Sequence, residues 1–159
     1  MAVEPADPAD AERVADLWVA LADGQRDHGS HLLAGPNRDR IRETLAHHAA
    51  EGRLLVARDG GLAGFVTVDP ERGRYAQDTD RGLVTNLYVV PERRREGVGT
   101  ALLAAAENRL REQGVETAAL DVLAANEAAR RFYRAAGYSP HRMELEKPLE
   151  SDTHSKADE

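Results

Sequence analysis

The segment Arg93, Arg94, Arg95, Glu96, Gly97, Val98, Gly99, Thr100 carries three guanidinium groups into two glycines at a strand-to-helix junction. Glycine has no side chain to block a ligand, a first helical turn offers unpaired amides, and the helix dipole and arginines favour negative charge. The chemistry that fits is an anion cradle for a phosphate or pyrophosphate. Gly97 and Gly99, with Asp121 about 20 residues on, begin a dinucleotide fingerprint, but Leu102 stands where its third glycine belongs and repeated βαβ units are missing. No Gly-Lys-Ser or Gly-Lys-Thr triplet exists, which removes a P-loop. The chain has no cysteine, so disulfides, thiolate metal sites and a cysteine nucleophile are excluded together. His28 and His31 lie in a glycine-bearing loop, as acceptor-pocket residues or as plain loop surface, and His47 and His48 read as helix surface. No spacing suggests a metal site.

The cradle needs a scaffold, and apolar periodicity supplies one. Val14, Leu17, Trp18 and Leu21 recur at helical spacing over 9–22, and Ile41, Leu45 and His48 mark a second helix ending near Gly52, beyond a loop over 23–37. Residues 53–58 and 62–69 are apolar strands joined at Asp59, Gly60 and Gly61, a hairpin signal. With a short strand at Val3 and Glu4, the first half reads βααβ. A polar connection over 70–81 leads to a strand over 83–90, with Leu83, Thr85, Leu87 and Val89 on one face and Asn86 and Tyr88 on the other. That strand runs straight into the cradle. Val98, Leu102, Leu103, Ala106 and Leu110 form the stripe of a helix over 97–113, closed by Gly114. The strand over 115–122 is parallel to its predecessor because a helix crossover joins them. A helix over 126–136, ended by Gly137, and a last strand over 142–149 complete the pattern.

At 159 residues, 42% hydrophobic and 31% charged, the chain reads as one soluble domain over 1–149 with an acidic disordered tail over 150–159. No apolar run approaches the roughly 18 residues that span a bilayer, and the acidic start lacks the order of a secretory signal, so a cytoplasmic protein is expected. The net charge of -7 argues against general nucleic-acid binding, which rewards positive charge spread over a face. The arginines of the cradle therefore act locally.

The spacing of Arg94, Gly97 and Gly99 resembles the acetyl-coenzyme A signature of the GNAT-type N-acetyltransferases: Arg or Gln, two residues, Gly, one residue, Gly or Ala. Its context is similar too, with Leu87, Tyr88, Val89, Val90 and Pro91 before it and Thr100, Ala101, Leu102 and Leu103 opening the helix behind it. Leu120, Asp121 and Val122, then Asn126, Ala129, Phe132, Tyr133, Gly137 and Tyr138, match the family's second signature. The likeness extends over about residues 2–149. It implies an α/β (α+β mixed) fold with a twisted mixed sheet, splayed between two parallel central strands and flanked by about four helices. It further implies acetyl-coenzyme A as co-substrate, its pyrophosphate held by the amides of Arg95, Glu96, Gly97, Val98, Gly99 and Thr100. Arg93, Arg94 or Arg95 would meet its 3′-phosphate. The backbone of Leu87, Tyr88 and Val89 would pair with the pantetheine amides in place of a neighbouring strand.

Acyl transfer from a thioester to an amine needs a neutral amine and a proton for the leaving thiolate. A lysine-like amine, with a pKa near 10.4, costs roughly 4 kcal/mol to neutralise at pH 7, whereas a thiolate of parent pKa about 8.5 is a good leaving group that an unshifted phenol can protonate. Tyr133 lies seven residues after Asn126, two helical turns, so both side chains leave one helix face. The resemblance implies that Tyr133 is the proton donor to the coenzyme A sulfur and Asn126 a cofactor contact. Asn126 is also placed as a helix N-cap, and a tyrosine packed under the sheet is the plainer alternative for Tyr133. Asp121 stands where some members carry an acidic residue that activates the amine through water, and equally where a strand end faces solvent. Asn86 stands where other members place a glutamate base, and an amide cannot take a proton.

The expected activity is transfer of acetyl from acetyl-coenzyme A to a primary amine, on a small molecule, a protein N-terminus or a lysine, by a direct ternary complex. A coenzyme A binding module that has lost catalysis is the alternative. No metal, membrane or nucleic acid is expected to take part. Dimerisation is common in the family, which makes a homodimer an expectation. The acceptor pocket would be built from 23–37, 70–81 and 138–143, and Asp69, Glu71, Asp78 or Asp80 in its lining would favour cationic amines.

Overall fold

Leu54–Arg58 (β2) and Leu62–Pro70 (β3) form the hairpin signalled by Asp59, Gly60 and Gly61, and their side chains are buried on both faces, which puts them inside the sheet. The computed structural model describes residues 1–71, 73 and 75–150. Its sheet has the order β1-β2-β3-β4-β5. Ala2–Pro5 (β1) runs antiparallel to β2, Arg81–Val89 (β4) antiparallel to β3, and Thr117–Ala119 (β5) parallel to β4. Ala11–Arg26 (α1) and Arg38–Ala50 (α2) cover one face, where Val14, Leu17, Trp18 and Leu45 meet Leu54, Val56 and Phe65. Val98–Glu112 (α3) covers the other, with Leu102, Leu103 and Leu110 against Val66, Val68 and Val84. Glu127–Ala135 (α4) packs Phe132 and Tyr133 onto this second cluster. No helix among the described residues is long and apolar enough to cross a membrane.

At Gly64, where β3 pairs with the end of β4, a methyl group would run into the Tyr88 carbonyl oxygen and press on Leu102, so β3, β4 and α3 pack this tightly only because position 64 carries no side chain.

Four sequence expectations change. β5 has three residues instead of eight, because it pairs only as Arg81 with Thr117, Gly82 with Ala118 and Leu83 with Ala119 before the two strands part. Beyond Leu83 the β5 side of β4 has no strand beside it. Next, Thr85 does not share a face with Leu87 and Val89. Thr67 faces Asn86 and Val68 faces Val84, so Thr85 is the extra residue of a bulge, and its side chain turns toward Thr67 and Asp69 on the α2 side. No strand forms over 142–149. Tyr138 is anchored to Glu107 and Glu146 to His31, a path that leads across the end of the sheet and not along β5, and Pro140 and Pro148 remove ladder donors at either end. Finally, α1 continues through Gly24 to Arg26, four residues past the expected end. Apart from Glu150, the acidic tail lies outside the described residues.

Candidate active site

The parting of β4 and β5 opens a cleft of about 660 Å³. Leu87, Tyr88 and Val89 bring one wall, Arg94, Arg95, Gly97, Val98, Gly99 and Thr100 the floor, and Asp121, Asn126 and Tyr133 the opposite wall. Of the residues singled out by sequence, Glu96 is outside it; its carboxylate accepts a 2.8 Å hydrogen bond from Arg93 Nε.

Local backbone shapes the floor. Arg95 (φ 65°) and Gly97 (φ 83°) both adopt the left-handed region, and Gly97 begins α3 with no side-chain cap, which leaves the first-turn amides for another partner. Gly97 is required by conformation, since side-chain-bearing residues rarely adopt its φ. Gly99 is different. A methyl group at 99 would lie 3.6 Å from Phe132 and 3.7 Å from Val89, an ordinary contact, which accounts for a signature that accepts alanine there.

The three arginines have three different settings. Arg93 is held by Asp59 at 3.0 Å and Glu96 at 2.8 Å. Arg94 donates from Nε to the Val89 carbonyl at 2.9 Å while its guanidinium lies 5.4 Å from the centre of the Tyr88 ring, a cation–π contact. The Arg95 side chain is exposed beside the helix start.

On the opposite wall, Tyr133 is half-buried, edge to face with Phe132 at 5.1 Å and Tyr138 at 6.0 Å. Burial raises its pKa above the ordinary tyrosine value, so the phenol keeps its proton at neutral pH. Tyr138 is raised as well, by burial and by donating to Glu107 at 2.8 Å, and it acts as a brace behind Tyr133. Asn126 Oδ1 accepts from the Ala129 amide at 3.1 Å and so caps α4 while lining the cleft; the two readings of Asn126 coexist. Asp121 is exposed at the cleft edge.

The end of the cleft nearest α1 is formed by Ala20 and Leu21, inside the expected helix, and by Gly24 and Gln25, which sequence places in the loop beyond it, with His28 further on. Gly24 read as a helix stop, although the polar residues after it keep the helical path to Arg26. None of Asp69, Glu71, Asp78 or Asp80 lines the cleft. Glu71 pairs with Arg81 at 3.0 Å and Asp69 with His48 at 2.9 Å. His48 is therefore a correction: it is mostly buried and ties α2 to β3, where sequence placed it on the helix surface. Its bond to Asp69 raises its pKa against the opposing effect of burial. Burial alone would raise Asp69, yet the bonds from His48 and Thr85 outweigh it and leave that carboxyl below its ordinary range. The chain of contacts continues through Thr85 and Thr67 to the Asn86 amide, and none of these residues lines the cleft.

The model of the acetyltransferase (GNAT) family matches residues 15–138, and the chain belongs to that family, whose acetyl donor is acetyl-coenzyme A. A mycothiol acetyltransferase of Sanguibacter keddieii is 36% identical over 143 residues, covering 85% of this chain and 43% of the relative. An aminoglycoside N(6')-acetyltransferase type 1 of Klebsiella aerogenes is 38% identical over 89 residues, covering 54% of this chain and 57% of the relative. The chain thus spans about half the length of these curated relatives. The solved structure of a GCN5-related N-acetyltransferase from Ralstonia eutropha has a TM-score of 0.72 and 27% identity, covering 93% of this chain and 97% of that one.

Proposed function

We propose that this chain moves the acetyl group of acetyl-coenzyme A to a primary amine within one ternary complex, as a homodimer in the cytoplasm. The observation that carries this reading is the β5-facing edge of β4 from Val84 to Val89, which has no strand beside it among the described residues and leads, through a 3-10 turn at Pro91–Arg93, to a helix start with no side-chain cap. A ligand with amides at one end and phosphates at the other matches both features at once: the amides extend the sheet and the phosphates take the first-turn amides. The glycines leave the necessary room, so the residues present fit acetyl-coenzyme A.

In this reading Arg95 meets the 3′-phosphate, because Arg93 is engaged by Asp59 and Glu96 and Arg94 by Val89 and Tyr88. The amine nitrogen attacks the thioester carbonyl carbon, the carbon–sulfur bond breaks, and Tyr133 gives its proton to the departing sulfur. The amine proton leaves through water toward Asp121. No covalent enzyme intermediate is required, and the absence of cysteine accords with direct transfer. Small amines come first as acceptors, since the relatives are named mycothiol and aminoglycoside acetyltransferases; such a molecule would enter past the last turn of α1.

The test is a panel of aminoglycosides, other aminosugars, polyamines and lysine peptides incubated with acetyl-coenzyme A, with thiol release and acetylated product followed together. Release that depends on an amine supports the reading. Coenzyme A that raises the melting temperature while no amine in the panel is acetylated would favour a binding module, and no thermal response to coenzyme A would overturn both.

A further inference from the structure

The face of the sheet under α1 and α2 holds a row of side-chain hydrogen bonds that acetyl transfer has not yet used. His48 Nδ1 lies 2.8 Å from the Thr44 carbonyl and His48 Nε2 2.9 Å from Asp69 Oδ1. A carbonyl only accepts, and so does the Asp69 carboxylate, which is ionised at neutral pH. Both ring nitrogens therefore carry hydrogen, and His48 is an imidazolium.

The direction of each further bond follows from that carboxylate. Asp69 Oδ2 takes the hydrogen of the Thr85 hydroxyl at 2.7 Å; the Thr67 carbonyl, 3.4 Å from the same hydroxyl, is the poorer acceptor. Thr85 has then spent its hydrogen, so the fully buried Thr67 hydroxyl, 2.7 Å away, donates to it. Thr67 is left with lone pairs alone. Asn86 must present its NH2 group to them, and its Nδ2 lies 3.0 Å from Thr67 Oγ1. A side-chain amide can ordinarily sit either way round. Here the Asp69 carboxylate decides which end turns inward, and Asn86 Oδ1, on the far side of the planar amide, has no hydrogen-bond partner among the described residues.

That oxygen stands where the reaction is expected. β4 and β5 part after Leu83, so Val84 to Asn86 is the stretch of open edge farthest from the cradle, and a ligand with its phosphates at α3 brings its other end there. Tyr133 packs on the α3 face. On the opposite face, Tyr88 packs against the cluster under α1 and α2, and α2 reaches Asp69 through His48. Between these contacts Thr85 is exposed and Asn86 partly so, a window onto the strand.

We propose that Asp69 and His48 set the direction of this chain so that the Asn86 carbonyl oxygen is turned out to the window, where it accepts an N–H of the attacking amine and aims the nitrogen lone pair at the thioester carbon. The inference rests on the acetyl-transfer reading and adds how the amine is held. Asn86 touches the substrate; Thr67, Thr85, Asp69 and His48 position it. A neutral oxygen holds an N–H without favouring the unreactive ammonium as a carboxylate does, and the proton still leaves toward Asp121.

The experiment measures kcat, KM for the best amine of the panel above and coenzyme A affinity in wild type and three variants. In Asp69→Asn the new side chain keeps its size and its bond to His48 but offers Thr85 an N–H, so every bond along the row reverses and Asn86 turns its own N–H outward. The amine KM should rise about tenfold or more, the worth of one hydrogen bond replaced by a clash of donors, with coenzyme A affinity unchanged within about twofold. Adding Asn86→Asp gives the reversed row an acceptor at its end and a second oxygen facing the amine, so KM should return to within about threefold of wild type. Asn86→Ala leaves Asp69, Thr85 and Thr67 in place and should raise KM by the same factor as Asp69→Asn. An active wild type with an unchanged KM in Asn86→Ala, or an Asp69→Asn deficit that Asn86→Asp does not repair, overturns this inference alone. A wild type that acetylates no amine overturns the acetyl-transfer reading and this inference with it.

Discussion

Replacing Tyr133 by phenylalanine removes one oxygen and leaves the ring. The edge-to-face contacts with Phe132 and Tyr138 survive, and the hydroxyl makes no hydrogen bond within the described residues, so folding stability should change by less than about 0.5 kcal/mol. Affinity for coenzyme A should be unchanged within about twofold, because the cradle and the β4 edge are untouched. The rate should fall. Without the phenol the sulfur leaves as thiolate, which at pH 7 lies about 2 kcal/mol above a thiol of pKa about 8.5, or about 30-fold in rate. General-acid catalysis spans about 10²–10⁴-fold, so a loss of about 30- to 100-fold in kcat is expected for so mild a leaving group. The deficit carries a pH signature. It should shrink as pH approaches about 8.5, where the thiolate is no longer penalised, while the wild-type enzyme keeps its acid because burial holds the Tyr133 proton above the ordinary tyrosine range. Thiol release against a chromogenic disulfide, with saturating amine and pH varied from about 6.5 to 9, reads both quantities. A kcat within threefold of wild type, or a deficit independent of pH, would refute the proton-donor role.

Three other outcomes are expected. Gly97→Val, forced into a left-handed φ at about 1–2 kcal/mol of strain, should abolish the rise in melting temperature caused by coenzyme A, whereas Gly99→Ala should retain it; equal behaviour of the two variants would sink the distinction. Arg95→Ala should weaken coenzyme A by about tenfold or more, the size of a charge-assisted hydrogen bond, and leave 3′-dephospho-coenzyme A unaffected; titration calorimetry showing equal losses for both ligands would remove Arg95 from the 3′-phosphate. His48→Gln tests the tie between α2 and β3. A raised histidine stabilises fully below its unfolded value of about 6.5 and loses that effect as pH climbs through the folded value; a lowered aspartate stabilises above about 3.8 and loses it as pH falls through its own. Urea unfolding should therefore show the largest gap between wild type and variant near pH 5 to 6, on the order of 1–2 kcal/mol, narrowing above pH 8. A gap that widens with pH contradicts the pairing.

What sequence made legible was whatever depends on near neighbours. The stripe from Val98 to Leu110 needs only helical spacing, the β2–β3 turn only two adjacent glycines, and the cradle only the conformational freedom of Gly97 beside an uncapped helix start. What it missed depends on distant pairing. The apolar run after Gly114 promised a long strand, yet β5 ends at Ala119 because β4 diverges from it, and that divergence is the cleft itself. One extra residue at Thr85 reverses its face, and alternation cannot register a bulge whose cause lies on β3. His48 looked like surface because its partner Asp69 is 21 residues away. The strand pattern over 142–149 joins no ladder among the described residues, because Tyr138 and Glu146 tie the segment to Glu107 and His31 instead.

The contact between Arg94 and Val89 bears on where specificity for the acyl donor arises. The Val89 carbonyl already accepts a hydrogen bond from Arg94 at 2.9 Å, so a pantetheine amide that takes the same oxygen replaces one bond by another, and the net contribution of such an exchange is small. If coenzyme A binds as proposed, the pairing along β4 sets the register of the thioester against Tyr133 and adds little affinity, while the first-turn amides of α3 and Arg95 supply most of the binding. A short acyl thioester that lacks the diphosphate would then satisfy the first requirement and not the second, and on the proposed reading it is the cradle that selects coenzyme A.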